Sequence, residues 1–376
     1  MTSPPVITRL SDPEFGSLCD DLAAQASLWN APEHWPGGPI HQCAASGALR
    51  WTLSSDHGGV DWPPDRQLLA YLRLAQADLT TTFVLTQYAG ACRRIAGSEN
   101  AAVRAQHLEA LLSGDRFGTV GISHLTTSRR HLDRPILSAR QTDEGGLILS
   151  GVAPWVTGAA HAEVIVLGAK LDDGREALVA VPTDLPGVHC GPGVSMIALS
   201  ASCTDMVRLD DVVVSPSMIV AGPVEDVMKT GSGGGTGGLQ TSALALGLAA
   251  AAIDFLADES VARPDLAPIA DQLQRECDAQ LDNLLAAANP PGEDQHLQPE
   301  TKIPSDPMAI RGRANDLVMR CTQAAMTAAK GAGFVEGHPV GRWCREALFF
   351  LVWSCPQPIA QNHLYNLAGV SGDTAG

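Results

Sequence analysis

Residues 147–169 read LILSGVAPWVTGAAHAEVIVLGA, and this stretch decides the fold. It ends on a β-branched run, Val164 to Val166, and similar runs follow at Val179 to Val181 and Val212 to Val214. Gly, Pro and Asp separate them, which is the punctuation of short strands. Asp172-Asp173-Gly174 falls between two of these runs and reads as a hairpin connection. Residues 118–222 are therefore expected to form a β domain. Within the quoted stretch Trp155 stands two residues before Thr157, a pair that by chemistry alone suits ordinary strand packing.

On either side the texture is helical. Leu68, Tyr71, Leu72, Ala75 and Leu79 recur at helical spacing after the start signal Pro63-Pro64-Asp65. Val103, His107, Leu108, Leu111 and Leu112 form a second run that stops at Ser113-Gly114. Beyond the strands, Gly231 to Gly238 reads as a mobile loop, because it lacks the Gly-Lys-Ser/Thr ending of a phosphate cradle. The Ala/Leu run from Ala243 is apolar all round, as befits a helix enclosed in a bundle. Helical spacing returns at Ile269, Leu273, Leu281 and Leu284, and at Leu317, Val318, Cys321 and Ala325. The expected domains are a helical one over 1–117, a β domain over 118–222 and a helical bundle over 223–376.

Composition narrows the function classes. The chain has 376 residues, 45% of them hydrophobic and 18% charged, enough apolar material for a substantial core. Its net charge of −16, without a basic arm, disfavours nucleic acid and anionic membranes as partners. The opening MTSPPVITRL lacks the apolar core of a secretory signal, and Asp254 interrupts the most apolar stretch, so membrane insertion is not expected and a cytoplasmic protein is. Nine cysteines without CxxC pairs or Cys/His clusters read as reduced thiols, with no metal site.

The quoted stretch resembles the signature of the acyl-CoA dehydrogenase family, roughly LNGxKxWITNxxxADxxxVxA, with Trp155 and Thr157 at its tryptophan and threonine. Four further resemblances follow in family order. Residues 46–114, with Ser55, Gly58-Gly59 and Ala75 to Asp78, are similar to the family's N-terminal helical region. Residues 199–214, LSASCTDMVRLDDVVV, are similar to its S-x-T segment, strand and D-D-V-x-V. Arg263 and Gln274 match its R-x-x-F-G arginine and later glutamine, with Leu266 in place of the phenylalanine. Lys330 to Phe334, His338-Pro339-Val340, Arg342 and Arg345-Glu346-Ala347 parallel its closing GGxGF…YPVxRxxRDA.

The resemblance implies an α+β fold of N-terminal helices, a β-barrel-like middle domain and a C-terminal four-helix bundle. It implies FAD, with Trp155 and Thr157 at the ring and Arg263, Gln274, Gly331 and Gly333 on the pyrophosphate or adenine side. A homodimer or homotetramer follows from a cofactor site shared between subunits. A second flavin loop, T-E-P-x-x-G-S-D, falls on Ile122 to Arg129 and keeps only its serine, Ser128. The implied activity is FAD-dependent oxidoreduction of a small molecule, an acyl thioester such as an acyl-CoA or a related carbonyl compound. The alternatives are a flavin monooxygenase of the same fold and a redox-silent binding protein. No residue names the electron acceptor.

One departure bears on mechanism. Counting on from Arg345-Glu346-Ala347, the family's Y-E-G-T, whose glutamate removes the substrate α-proton, falls on Trp353-Ser354-Cys355-Pro356. Ser354 holds the catalytic position, and a serine hydroxyl cannot take a carbon-bound proton without a base of its own. His124, Glu336, His338 and Cys355 are the substitute bases to consider; His124 reads rather as a hydrogen-bonded structural histidine, and Glu336 and Glu346 as surface or ion-pair groups.

Overall fold

The computed structural model describes residues 6–29, 32–126, 136–230, 238–289 and 306–370. Ser128 and residues 231–237 of the glycine-rich segment therefore lie outside the described residues. The helices and strands, in chain order, are α1 (Pro13–Gln25), α2 (Gly37–Ala45), α3 (Pro64–Ala77), α4 (Leu79–Ala96), α5 (Ala101–Leu112), β1 (Gly118–Gly121), α6 (Ser123–Thr126), β2 (Leu137–Gln141), β3 (Leu147–Val156), β4 (Val164–Leu171), β5 (Glu176–Pro182), β6 (Val188–Cys190), β7 (Asp205–Val214), β8 (Ile219–Val224), α7 (Leu239–Ser260), α8 (Ala267–Ala288), α9 (Pro307–Ala329), α10 (Pro339–Ala347) and α11 (Gln357–Ala368).

The β-branched runs build one mixed sheet of eight strands, ordered β6-β7-β3-β2-β4-β5-β8, with β1 parallel to β4. The turn at Asp172 to Gly174 joins β4 to its antiparallel neighbour β5. Along β7 the side chains of Val207, Leu209, Val212 and Val214 turn into the core while Met206, Arg208 and Val213 remain exposed, a period of two on either side of an irregularity at Asp210 and Asp211, where the register with β3 shifts. β4 is buried along almost its whole length, as a central strand is.

Packing divides the chain differently from its texture. One compact unit comprises Met1–Asp21, Leu28–Trp62 and Thr80–Thr236; the other comprises Leu22–Ser27, Pro63–Leu79 and Gly237–Gly376. In the first unit the early helices are tied to the sheet by polar links at the start of α5. Ser98 Oγ donates to the Val220 carbonyl at 2.5 Å, and Asn100 Nδ2 donates to the Ile219 carbonyl at 2.9 Å. The Asn100 side chain also accepts from the Ala102 backbone as the N-cap of α5.

The second unit is a bundle around α7, against which α3, α8 and α9 all pack. α7 is long and apolar enough to cross a membrane, and it is mostly buried inside this unit. α3 belongs here although it comes early in the chain. A Cβ built on Gly247 of α7 would stand 2.2 Å from the Leu72 carbonyl oxygen of α3, so only glycine allows the two backbones to approach this closely. Gln76 Nε2 then donates to Asp254 Oδ2 at 2.6 Å across the same pair of helices. α9 begins at an N-cap, Asp306, which accepts from the Met308 and Ala309 backbones ahead of Pro307 at the first helical position. All nine cysteines are free thiols.

Candidate functional site

In the first unit the site residues gather where β3 ends. The register shifts between Ala153 and Val156, and at this irregularity Trp155 takes a left-handed backbone, φ 55°, with 58% of its surface exposed. A large indole held outward in a conformation that costs an L-residue energy points to function rather than packing. Val156 pairs with Asp205 of β7, which places the next antiparallel pair, Thr157 and Thr204, opposite each other. Thr204 Oγ1 donates to Thr157 Oγ1 at 3.1 Å, and Ser202 Oγ lies 2.8 Å from Thr204 Oγ1. All three hydroxyl residues are buried.

The turn that follows is pinned as well. The Gly158 amide is shared between the Ser202 carbonyl at 2.9 Å and the Cys203 carbonyl at 3.2 Å. Trp35 stacks on His161 with ring centroids 4.4 Å apart and planes 6° from parallel. Nearby, His124 Nε2 donates to the Gly168 carbonyl at 2.7 Å, while its Nδ1 is buried without a partner. Burial pulls the imidazole below its usual value, opposed by that hydrogen bond, and keeps the ring neutral. The structural reading of His124 accounts for these contacts.

In the second unit Arg263 and the glycine turn meet. Arg263 Nη1 donates to the Ala328 carbonyl at 2.7 Å, and its Nη2 pairs with Glu259. Ala328 lies at the end of α9, where Lys330 adopts φ 54° and the chain enters the short 3-10 turn Lys330–Phe334. Gly331 is exposed, and a Cβ there would meet nothing within 4 Å, so its backbone is open to an incoming group. Gly333 is buried; a Cβ on it would come within 2.7 Å of Met326 Sδ, and a Cβ on Gly341 of α10 would stand 2.6 Å from the Gly333 carbonyl oxygen. Gln274 stays on its own helix, where Nε2 donates to Asp278 Oδ1 at 2.8 Å.

The segment carrying Ser354 is clamped from α9. Arg311 Nη2 donates to the carbonyls of Phe350 and Trp353, both at 3.0 Å, and Asn315 Nδ2 donates to the Phe350 carbonyl at 3.0 Å. Phe349 stacks on Trp353 at 5.1 Å. Ser354 follows at φ 46°, partly exposed. Arg311 is buried, and burial pulls its guanidinium down to about 10, with the neighbouring Cys355 opposing. Burial pushes the Cys355 thiol up against the opposing effect of Arg311, which disfavours a thiolate base.

Two other substitute bases have different occupations. His338 is the N-cap of α10, its Nδ1 accepting from the Val340 amide at 3.3 Å. Glu336 is exposed. Glu346 is an ion-pair group but not a surface one: only 2% exposed, it pairs with Arg342, whose Nε lies 3.8 Å from its carboxylate, beyond hydrogen-bond range. Sequence reasoning also missed the Arg311–Asn315 clamp and the meeting of Thr204 with Thr157. The S-x-T pattern over Ser202 to Thr204 was the available signal for the second.

No family model matches the chain. It is 27% identical over 153 residues to a probable acyl-CoA dehydrogenase, YngJ, of Bacillus subtilis (strain 168), covering 39% of this chain and 40% of that protein. The chain spans two fifths or less of the length of the curated relatives it matches. Among solved structures, butyryl-CoA dehydrogenase from Megasphaera elsdenii superposes with a TM-score of 0.75 at 18% identity, covering 96% of this chain and 98% of that one. Dibenzothiophene monooxygenase (TdsC) from Paenibacillus sp. A11-2 gives 0.72 at 15% identity, covering 96% and 98%. The chain has the acyl-CoA dehydrogenase fold, and the resemblance read from its motifs is borne out.

Proposed function

We propose that this chain, built on the acyl-CoA dehydrogenase fold, is an FAD-dependent oxidoreductase acting on an acyl thioester or a related carbonyl compound. The observation that carries the reading is the exposed Trp155 indole beside Thr157, whose hydroxyl accepts from Thr204 and has no acceptor for its own proton among the described residues. An apolar aromatic face next to a directed donor suits a flat heteroaromatic ring with acceptor nitrogens. Trp155 and Thr157 would hold that ring, and Arg263 with the open backbone at Gly331 would serve the phosphates, since a backbone without Cβ can approach them closely. Ser128, Gln274 and Gly333 belong to the same reading through the family motifs. When bound, the flavin supplies a hydride-accepting ring.

Ser354 shapes the chemistry. With a hydroxyl at the position of the family's carboxylate, the chain lacks a ready base for the α-proton of a saturated thioester. This favours a substrate with a more acidic or more easily abstracted hydrogen. It also gives weight to the second reading, a monooxygenase using reduced flavin and oxygen; a dibenzothiophene monooxygenase is among the proteins of this fold. The protein is further proposed to be cytoplasmic and to work as a homodimer or homotetramer.

The test is the absorption spectrum of the purified protein, followed by anaerobic titration with acyl thioesters. Bound FAD and bleaching by a thioester or carbonyl substrate are expected. A colourless protein that added FAD does not reconstitute defeats the flavin reading in favour of a binding protein. Oxygen consumption by the reduced holoprotein without thioester bleaching moves the assignment to the monooxygenase.

A further inference from the structure

A hydroxyl has one proton to give and two lone pairs to receive with. Thr204 spends its proton on Thr157 Oγ1 at 3.1 Å. In the 2.8 Å contact between Ser202 and Thr204, Ser202 must then be the donor. The three residues form a chain with one direction, Ser202 to Thr204 to Thr157, and its members polarise one another. Its last proton, on Thr157, is left without an acceptor among the described residues, and a buried O–H without an acceptor is costly. The β3–β7 register and the shared Gly158 amide fix both segments, so the direction is built into the fold.

We propose that Thr204, backed by Ser202, is a positioning residue that locks Thr157 as a hydrogen-bond donor toward the bound flavin and thereby restrains the flavin's reduction. The inference rests on the FAD reading above. A flavin ring nitrogen that offers a lone pair in the oxidised state carries N–H after taking up two electrons and a proton. A hydroxyl held as a donor matches the first state and opposes the second. With one lone pair of Thr157 taken by Thr204, its proton finds an acceptor only on the flavin side; without Thr204 that restriction is lifted, and Thr157 can rotate to turn a lone pair to that N–H. No chain hydroxyl gains or loses a proton; only the direction of the Thr157 O–H is at stake.

The experiment is a reductive titration of the FAD-loaded protein with dithionite in the presence of a reference dye, which reports the two-electron equilibrium independently of turnover. Thr204→Val is expected to shift that equilibrium about tenfold toward reduced flavin, close to 30 mV upward for two electrons. Thr204→Ser, which keeps the donor, should restore the wild-type value. Ser202→Ala removes the donor behind Thr204 and should move the equilibrium the same way by a smaller factor; it carries the test if Thr204→Val does not fold. An unchanged or lowered potential in Thr204→Val, or in Ser202→Ala where that variant carries the test, overturns the proposal. So does a Thr204→Ser protein that shifts like the valine variant, since the effect would then be one of packing. A wild-type chain that binds no FAD removes the flavin reading itself, a result distinct from FAD bound with its potential indifferent to Thr204.

Discussion

Arg263 Nη1 closes on the carbonyl oxygen of Ala328 at 2.7 Å, so a side chain expected on the cofactor's phosphate side also caps the end of α9. The last carbonyls of a helix have no partner within it, and a cation there satisfies one of them and complements the helix dipole. Arg263→Met should lower stability by about 1 kcal/mol, read by urea unfolding, because the capping charge is partly exposed. The same variant should release FAD more readily, since the turn bearing Gly331 loses its tether. Unchanged FAD retention would confine Arg263 to the capping role.

Gly247→Ala should cost more. The added methyl would stand 2.2 Å from the Leu72 carbonyl oxygen, a backbone atom that moves only with its helix. Overpacking of this kind costs about 1–3 kcal/mol. Thermal unfolding of the variant should begin at a lower temperature than in wild type, and Ala250→Gly on the same helix serves as a comparison for propensity alone.

Glu346 gives the fold a pH dependence of known sign. Burial raises its carboxyl from 4.5 to about 7; Arg342 and Arg345 oppose the rise and Asp78 adds to it. A folded value above the unfolded one means that the native state holds the proton more tightly. Stability from this group is therefore complete below about 4.5 and is lost as pH climbs through about 7, by up to roughly 3 kcal/mol. Chemical denaturation between pH 5 and pH 8 should show this loss, and Glu346→Gln should flatten it.

Ser354→Glu tests the proposal that the chain lacks a base for the α-proton. Wild-type protein should reduce its flavin with simple saturated acyl-CoAs slowly or not at all, because general-base assistance is worth about 10²–10⁴ in rate. The variant should bleach faster under anaerobic stopped-flow conditions. Rapid bleaching by wild type would show that another residue takes the proton.

The strands were legible because their signal is local: β-branched runs, turn residues and a one-face alternation can be read a few residues at a time. Trp155 and Thr157 could be picked out from their motif, and Arg263 from its spacing to Gln274. What lay out of reach depends on residues distant in sequence. The pairing of Thr157 with Thr204 follows from the register between β3 and β7, which no local pattern fixes. Glu346 reads as a polar residue in a charged run, and only the packing of α10 reveals its burial. The clamp on the Ser354 turn needs α9 and the segment after α10 to be adjacent, a fact of the bundle rather than of either segment.

The placement of α3 in the bundle has a consequence for how the protein is born. α3 ends at Ala77, whereas its partner α7 begins at Leu239, so 239 − 77 = 162 positions separate them. At roughly 5–20 residues per second on the ribosome, α3 leaves the exit tunnel on the order of ten to thirty seconds before the helix it packs against. Through that interval Leu68, Tyr71, Leu72 and Ala75, all buried in the finished protein, have no α7 to cover them. The nascent chain thus carries an uncovered apolar helix face until α7 emerges, and translation speed between α3 and α7 sets how long that face stays uncovered.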